Sequence, residues 1–261
     1  MGNIGRVLGF VGCIGLLLAM PRLAHAEDLV IDAHGEAITV PLLDGFELLS
    51  EGMRAKMGLV DPPGSNNRTV AIFVARGLLE KLEAGNPPAR MRYLDVQVPR
   101  KHVWQTGTRA AFREAIAMVK KGGLDGIANK EFAEQGRAGA LGGVSNLLHE
   151  GERYFVLHMH HTGNGQREDV GAATVLVRAR MIHLYVRSMP GDVEEGAWAS
   201  DTAKNWAEAL VAANSPTPAS LKAEAKSAGG FWDSVFNGSL RGAAIGLVVG
   251  LIFMVLRKKN G

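Results

Sequence analysis

The chain has 261 residues, 47% of them apolar and 21% charged, with a formal net charge of +3. This composition excludes a disordered chain, a collagen-like repeat and a disulfide-stapled miniprotein. Six of the 29 bases lie in the two ends, which hold no acid, so residues 27–240 carry 23 bases against 26 acids, a net of −3. The electrostatic footprint of a nucleic-acid-binding domain is therefore absent.

Residues 1–26 read as a secretory signal peptide. Arg6 supplies the basic start, Val7 to Met20 the apolar stretch, Pro21 the break, and Ala24-His25-Ala26 the small-x-small cleavage pattern. The one cysteine, Cys13, lies inside this leader. The mature chain then has no disulfide, no thiol nucleophile and no cysteine metal ligand, which suits a bacterial envelope protein.

Residues 27–214 form the exported domain. Leu29–Ile31 and Ile38–Leu42 read as short strands around a His34-Gly35 turn. Phe46–Met57 is ambiguous, with a short helix as its one reading. Asp61-Pro62-Pro63-Gly64 is a loop, and Thr69–Ala75 is a continuous apolar run, as in a central strand. Gly77–Ala84 predicts a turn or two of helix. Met91–Val98 alternates as a half-buried strand does.

Phe112, Ala115, Ile116 and Val119 predict a helix over about 109–121, capped by Thr108. Residues 122–146, rich in glycine and alanine, give no reading. Strands follow at Arg153–Thr162, Ala172–Val177 and Met181–Ser188. In the last, Met181, His183, Tyr185 and Arg187 share one face. A long helix spans about 193–213. Asp192 and Glu195 form its capping pair, and Trp198, Thr202, Trp206 and Leu210 make its apolar stripe.

Residues 215–238 are a tether with an interfacial segment that includes Phe231, Trp232 and Phe236. Residues 239–256 are a transmembrane helix. Arg257-Lys258-Lys259 fix the tail 257–261 on the cytoplasmic side. Gly242, Gly246 and Gly250 recur at four-residue spacing on one helix face, a device for close packing of spans against a partner or a second copy. The resulting topology is a single-pass inner-membrane protein with its domain in the periplasm.

The order of elements predicts an α+β domain, an antiparallel sheet with packed helices. Two stretches also carry a family likeness. One is Ile38-Thr39-Val40-Pro41-Leu42-Leu43-Asp44-Gly45-Phe46, a strand running into a Gly-Phe entry. The other is the hairpin Val175–Val186, followed by a tryptophan-containing helix ending in Ala212-Ala213-Asn214. Together they resemble the PsbP/Mog-type α/β/α sandwich over most of 27–214. The resemblance implies a fold whose known members are mostly non-enzymatic accessory and binding proteins. It assigns no ligand residues here.

No nucleophile elbow, phosphate loop, H-E-x-x-H zincin or EF-hand pattern occurs. No catalytic residue or cofactor is assigned. One cluster suggests chemistry, His158-Met159-His160-His161. On a strand, His158 and His160 share a face, and His183 offers a third ligand from a later strand. Such imidazoles would also titrate near neutrality. Three functions follow. The first is a non-catalytic membrane-anchored envelope module that binds a protein partner or itself. The second is a metal-binding protein or metal-dependent hydrolase using His158 and His160. The third is a small-ligand or lipid binder.

Overall fold

The structure is a computed structural model. It describes residues 28–56, 59, 61, 67–84, 89–100, 107–120, 141–163 and 166–225. The leader 1–26, the candidate span 239–256 with Gly242, Gly246 and Gly250, and the tail lie outside these residues. Among the described residues no helix is long and apolar enough to cross a membrane.

Strands β1 (Leu29–Ala33) and β2 (Glu36–Val40) pair as an antiparallel hairpin. His34 and Gly35 at its tip have φ of 55° and 80°. Positive φ at both central residues is what a tight hairpin turn of matching twist requires. Ile31, Ala33, Ile38 and Val40 point inward and are buried, so the hairpin joins the main core without joining the main sheet.

The main sheet has seven strands, all pairs antiparallel. They are β3 (Phe46–Leu48), β4 (Asn67–Ala75), β5 (Met91–Pro99), β6 (Leu141–Glu150), β7 (Tyr154–Gly163), β8 (Gln166–Val177) and β9 (Arg180–Met189). Their order is β3-β4-β5-β9-β8-β7-β6. The last four form a meander, and β9 returns beside β5. Among the described residues five helices accompany them: α1 (Glu51–Lys56), α2 (Leu78–Glu83), α3 (Arg109–Lys120), α4 (Val193–Ala213) and α5 (Pro218–Glu224). The fold is α+β, as the order of predicted elements implies.

One face of the sheet is aliphatic. Leu94, Val96, Ile182, Leu184, Val186, Ala173 and Val175 meet α4 there. Each such side chain buried contributes about 1.5–3 kcal/mol. Trp206 of α4 packs edge-on to Phe73 with centroids 5.9 Å apart, and its Nε1 donates to the Pro41 carbonyl at 2.8 Å. On the other face, Phe112 of α3 packs with Phe155, Leu157, Leu176 and Met181, and Leu78 of α2 with Leu49, Ile72 and Val74. Helices thus cover both faces.

Several expectations are corrected. The face that α4 presents to the sheet runs through Ala199, Ala203, Trp206, Ala207 and Leu210, while Trp198 and Thr202 flank it half-buried. The reason is close approach: a Cβ at Gly171 of β8 would collide with the Ala199 carbonyl, so the contact takes small residues. Strand β5 is buried on both faces from Leu94 to Pro99, so Asp95 and Gln97 are interior. Leu141–Glu150, within and beyond the stretch that gave no reading, is an edge strand. The start of the expected tether holds α5, opened by a Thr217/Ser220 capping box and pinned by buried Glu224. Glu224 accepts from Arg153 at 3.0 and 2.9 Å, from Arg109 at 3.2 Å and from the Ala179 N–H at 3.1 Å.

Candidate functional site

Three polar features stand out, and the first is interior. Strand alternation puts Tyr93, Asp95 and Gln97 of β5 opposite Arg187, Tyr185 and His183 of β9. Glu168 and Thr174 of β8 extend the same face. Arg187 Nε donates to Asp95 at 2.7 Å, and Nη1 to Glu168 at 3.4 Å. Tyr93 donates to Glu168 at 2.9 Å, and Gln97 to Asp95 at 2.8 Å. Burial raises the Asp95 carboxyl above its ordinary range, and Arg187 only partly offsets that. Burial also opposes the Arg187 charge, but Asp95, Tyr93 and Glu168 outweigh it and hold the guanidinium protonated. Desolvation lowers the His183 imidazole to about 4, so it is neutral at pH 7.

Arg187 and Asp95 are at most 1% exposed, so this ion pair is sealed from solvent, while Tyr93 and His183 beside it are half-buried. It acts as a buried network that fixes how β5, β8 and β9 pair. Among the described residues, Arg187 Nη2 and the Tyr185 hydroxyl have no hydrogen-bond partner.

The second feature is the histidine cluster. His158 and His160 do share a face of β7, with ring centroids 6.3 Å apart. His158 Nε2 is engaged by the fully buried Asp169 at 2.8 Å, and Asp169 also accepts two bonds from Arg167. The backbone of Gly196 presses on the ring, where a Cβ would stand 2.7 Å from Nε2. The expected third ligand is not brought here. His158 pairs with Gly171 and Gly171 with Val186, on the α4 side, whereas His183 points to the opposite face. The side chain of His161 lies outside the described residues. Among the described residues no group of three or more His, Cys, Asp or Glu is placed to hold a metal.

Beside this cluster, Asp192 caps α4 by accepting the Glu195 N–H at 2.8 Å. The other half of the expected capping pair is replaced. The Glu195 carboxylate turns to Arg90 at 2.5 Å, to Arg92 at 2.6 and 3.0 Å, and to Ser188. The bond from Arg92 is the chief cause of a Glu195 pKa near 2, helped by Ser188 and Arg90 against the cost of burial.

The third feature is a cleft of about 470 Å³. Its walls are residues 29–32 of β1, 68–70 of β4, and Glu51 and Arg54 of α1. β3 pairs with β4 only from Phe73 to Ala75, and among the described residues no strand covers the first half of β4 on that edge. The register of β4 also shifts between Thr69 and Ala71. Side chains close the open edge instead. Asp61 accepts the Thr69 N–H at 3.0 and 3.1 Å, and Arg54 Nη2 donates to the Thr69 carbonyl at 3.1 Å. Thr69 Oγ1 and Arg54 Nε are buried and have no hydrogen-bond partner among the described residues. Sequence reasoning missed this site. Its residues come from three elements with no common motif.

No protein-family model matches the chain, and no curated protein matches it. One solved structure similar to it is LpqN of Mycobacterium tuberculosis, described as involved in cell envelope biogenesis. It is 16% identical over 69% of this chain and 87% of that one, with a TM-score of 0.31.

Proposed function

We propose that this chain is a membrane-tethered protein of the bacterial cell envelope whose exported domain is a non-catalytic binding module. The leader pattern of 1–26 and the apolar run 239–256 with its basic stop support the location. The observation that carries the binding role is the cleft of about 470 Å³, a concave space lined by both polar and apolar residues of β1, β4 and α1. The glycine face of the span, Gly242, Gly246 and Gly250, offers a second contact for a protein partner or another copy.

The test is crosslinking and affinity purification of the C-terminally tagged full chain from native membranes, beside a variant with the three span glycines changed to Leu. A reproducible partner set in the first sample supports the reading, and its loss in the variant assigns the contact to the span. An absence of partners in both, together with stoichiometric metal that disappears on His158→Ala and His160→Ala, overturns it in favour of a metal-dependent activity.

A further inference from the structure

We propose that the cleft is a strand-pairing groove, in which the free edge of β1, at Val30 and Asp32, takes up an extended, uncharged segment of a partner polypeptide as a further strand. The inference rests on the binding-module reading and names the partner class of that site.

The cleft meets both strands from the edge. Residues 29–32 of β1 and 68–70 of β4 line it without a gap, although successive side chains of a strand point to opposite faces. Pairing fixes which backbone groups point into it. In a hairpin with two residues at its tip, the pair beside the turn is hydrogen-bonded and bonded pairs alternate from there. Ala33 with Glu36, Ile31 with Ile38 and Leu29 with Val40 are then the bonded pairs of β1 and β2. The polar groups of Val30 and Asp32 point away from β2.

Other edges in this part of the fold are closed by side chains. On the far edge of β2, Asn214 accepts the Thr39 N–H at 2.9 Å and donates to its carbonyl at 2.7 Å, and Arg178 donates to the Ala37 carbonyl at 2.8 Å. On β4, Asp61 and Arg54 take the N–H and carbonyl of Thr69, and Arg100 Nε donates to the Asn67 carbonyl at 3.0 Å. Such closure keeps a strand edge from pairing with another chain. The β1 edge lacks most of it. Arg68 donates to the Asp32 carbonyl at 3.2 Å, but among the described residues nothing bonds the Asp32 N–H or the N–H and carbonyl of Val30. The Val30 side chain is 62% exposed beside them. An open edge carrying an uncovered β-branched side chain is a template for one more strand.

The lining decides the occupant. The gap has β1 on one side and, on the other, the side chains that close β4. A hairpin from a second copy would bring its own second strand against β4, so the gap suits a single extended segment. Asp32 and Glu51 are matched by Arg54 and Arg68, so the groove has no net charge. It selects through main-chain bonds, with an apolar side chain of the guest over Val30.

The experiment uses the full chain in phosphatidylcholine nanodiscs, with hydrogen exchange resolved to single amides. The probe is a short capped peptide of alternating valine and threonine, beside the same peptide N-methylated at every residue, which has no donor for a strand. The first should protect the Val30 and Asp32 amides, and the N-methylated one neither. Val30→Pro removes a donor that the fold leaves unused at an edge, and should weaken the peptide by about tenfold, the loss of one hydrogen bond. The Ile31 and Ile38 amides should keep their protection in this variant, showing that the hairpin is intact. Val30→Lys, at an exposed side chain, leaves the backbone as it is and should also weaken the peptide, by placing a charge on the edge.

Equal protection by the two peptides overturns main-chain pairing. Undiminished binding in Val30→Pro with an intact hairpin, or in Val30→Lys, overturns the β1 edge as the site, and so does a saturating peptide that protects neither amide. If both variants still capture the wild-type partner set from native membranes while no peptide binds, the strand-pairing groove fails and the binding-module reading stands.

Discussion

Glu195 stands in the first turn of α4, yet both its oxygens serve groups outside the helix, on Arg90, Arg92 and Ser188. Its pKa, near 2 in the fold, lies below the ordinary 4.5. The unfolded chain therefore takes up this proton first on acidification. Glu195 contributes its full stability above about pH 4.5 and loses it as pH falls towards 2. Glu195→Gln should lower stability at pH 7 by about 1.5–3 kcal/mol, the range for a hydrogen bond to a charged group. The gap from wild type should close below pH 3 in urea unfolding. A constant gap at all pH values would assign the effect to packing. His183 works at a different pH. With its folded pKa near 4 and an ordinary value of 6.5, the unfolded state binds its proton first between those values. Stability is lost as pH falls from 6.5 to 4, and His183→Gln should flatten that limb.

At the scale of elements, α4 shows what a sequence can and cannot convey. Its limits, Val193 to Ala213, follow from Asp192 and Asn214, which bond to the helix backbone and are visible as residue types. The face it buries depends on how closely β8 approaches, and that is set by Gly171 meeting Ala199, a tertiary fact. A reading weighted by large apolar residues therefore chose Trp198 over Ala199. Gly171→Ala should cost about 1–3 kcal/mol by overpacking, measured as a shift in the urea midpoint. Strand β6 escaped because Leu141-Gly142-Gly143-Val144-Ser145-Asn146 does not alternate, so only pairing with β7 makes it a strand. Helix α5 escaped because Ser, Pro, Ala and Lys read as linker, and its own Glu224 is anchored by residues distant in sequence, Arg109, Arg153 and Ala179. Glu224→Ala leaves Arg153, 14% exposed, without its pair. The expected loss is about 3 kcal/mol, with faster proteolysis after Ala213. The cleft was illegible for the same reason as the α4 face. Arg54 and Thr69 meet only because β3 is too short to cover β4.

For the whole molecule, the docking of α5 shortens the connection to the proposed span. Only 13 residues, 226–238, separate Ala225 from residue 239. As a flexible linker they would give a root-mean-square reach of about 20 Å, less than a domain diameter. The proposed topology can be tested cleanly because the one native cysteine, Cys13, lies in the proposed leader, and removal of that leader would leave no thiol background. Ser227→Cys should react with a membrane-impermeant maleimide in intact spheroplasts. Asn260→Cys should react only after permeabilisation, and the leaderless wild type should not react at all. Labelling of both positions without permeabilisation would mean that residues 239–256 do not cross the membrane. Labelling of neither would mean that the domain is not exported. Either result would remove the single-pass topology on which the envelope reading stands.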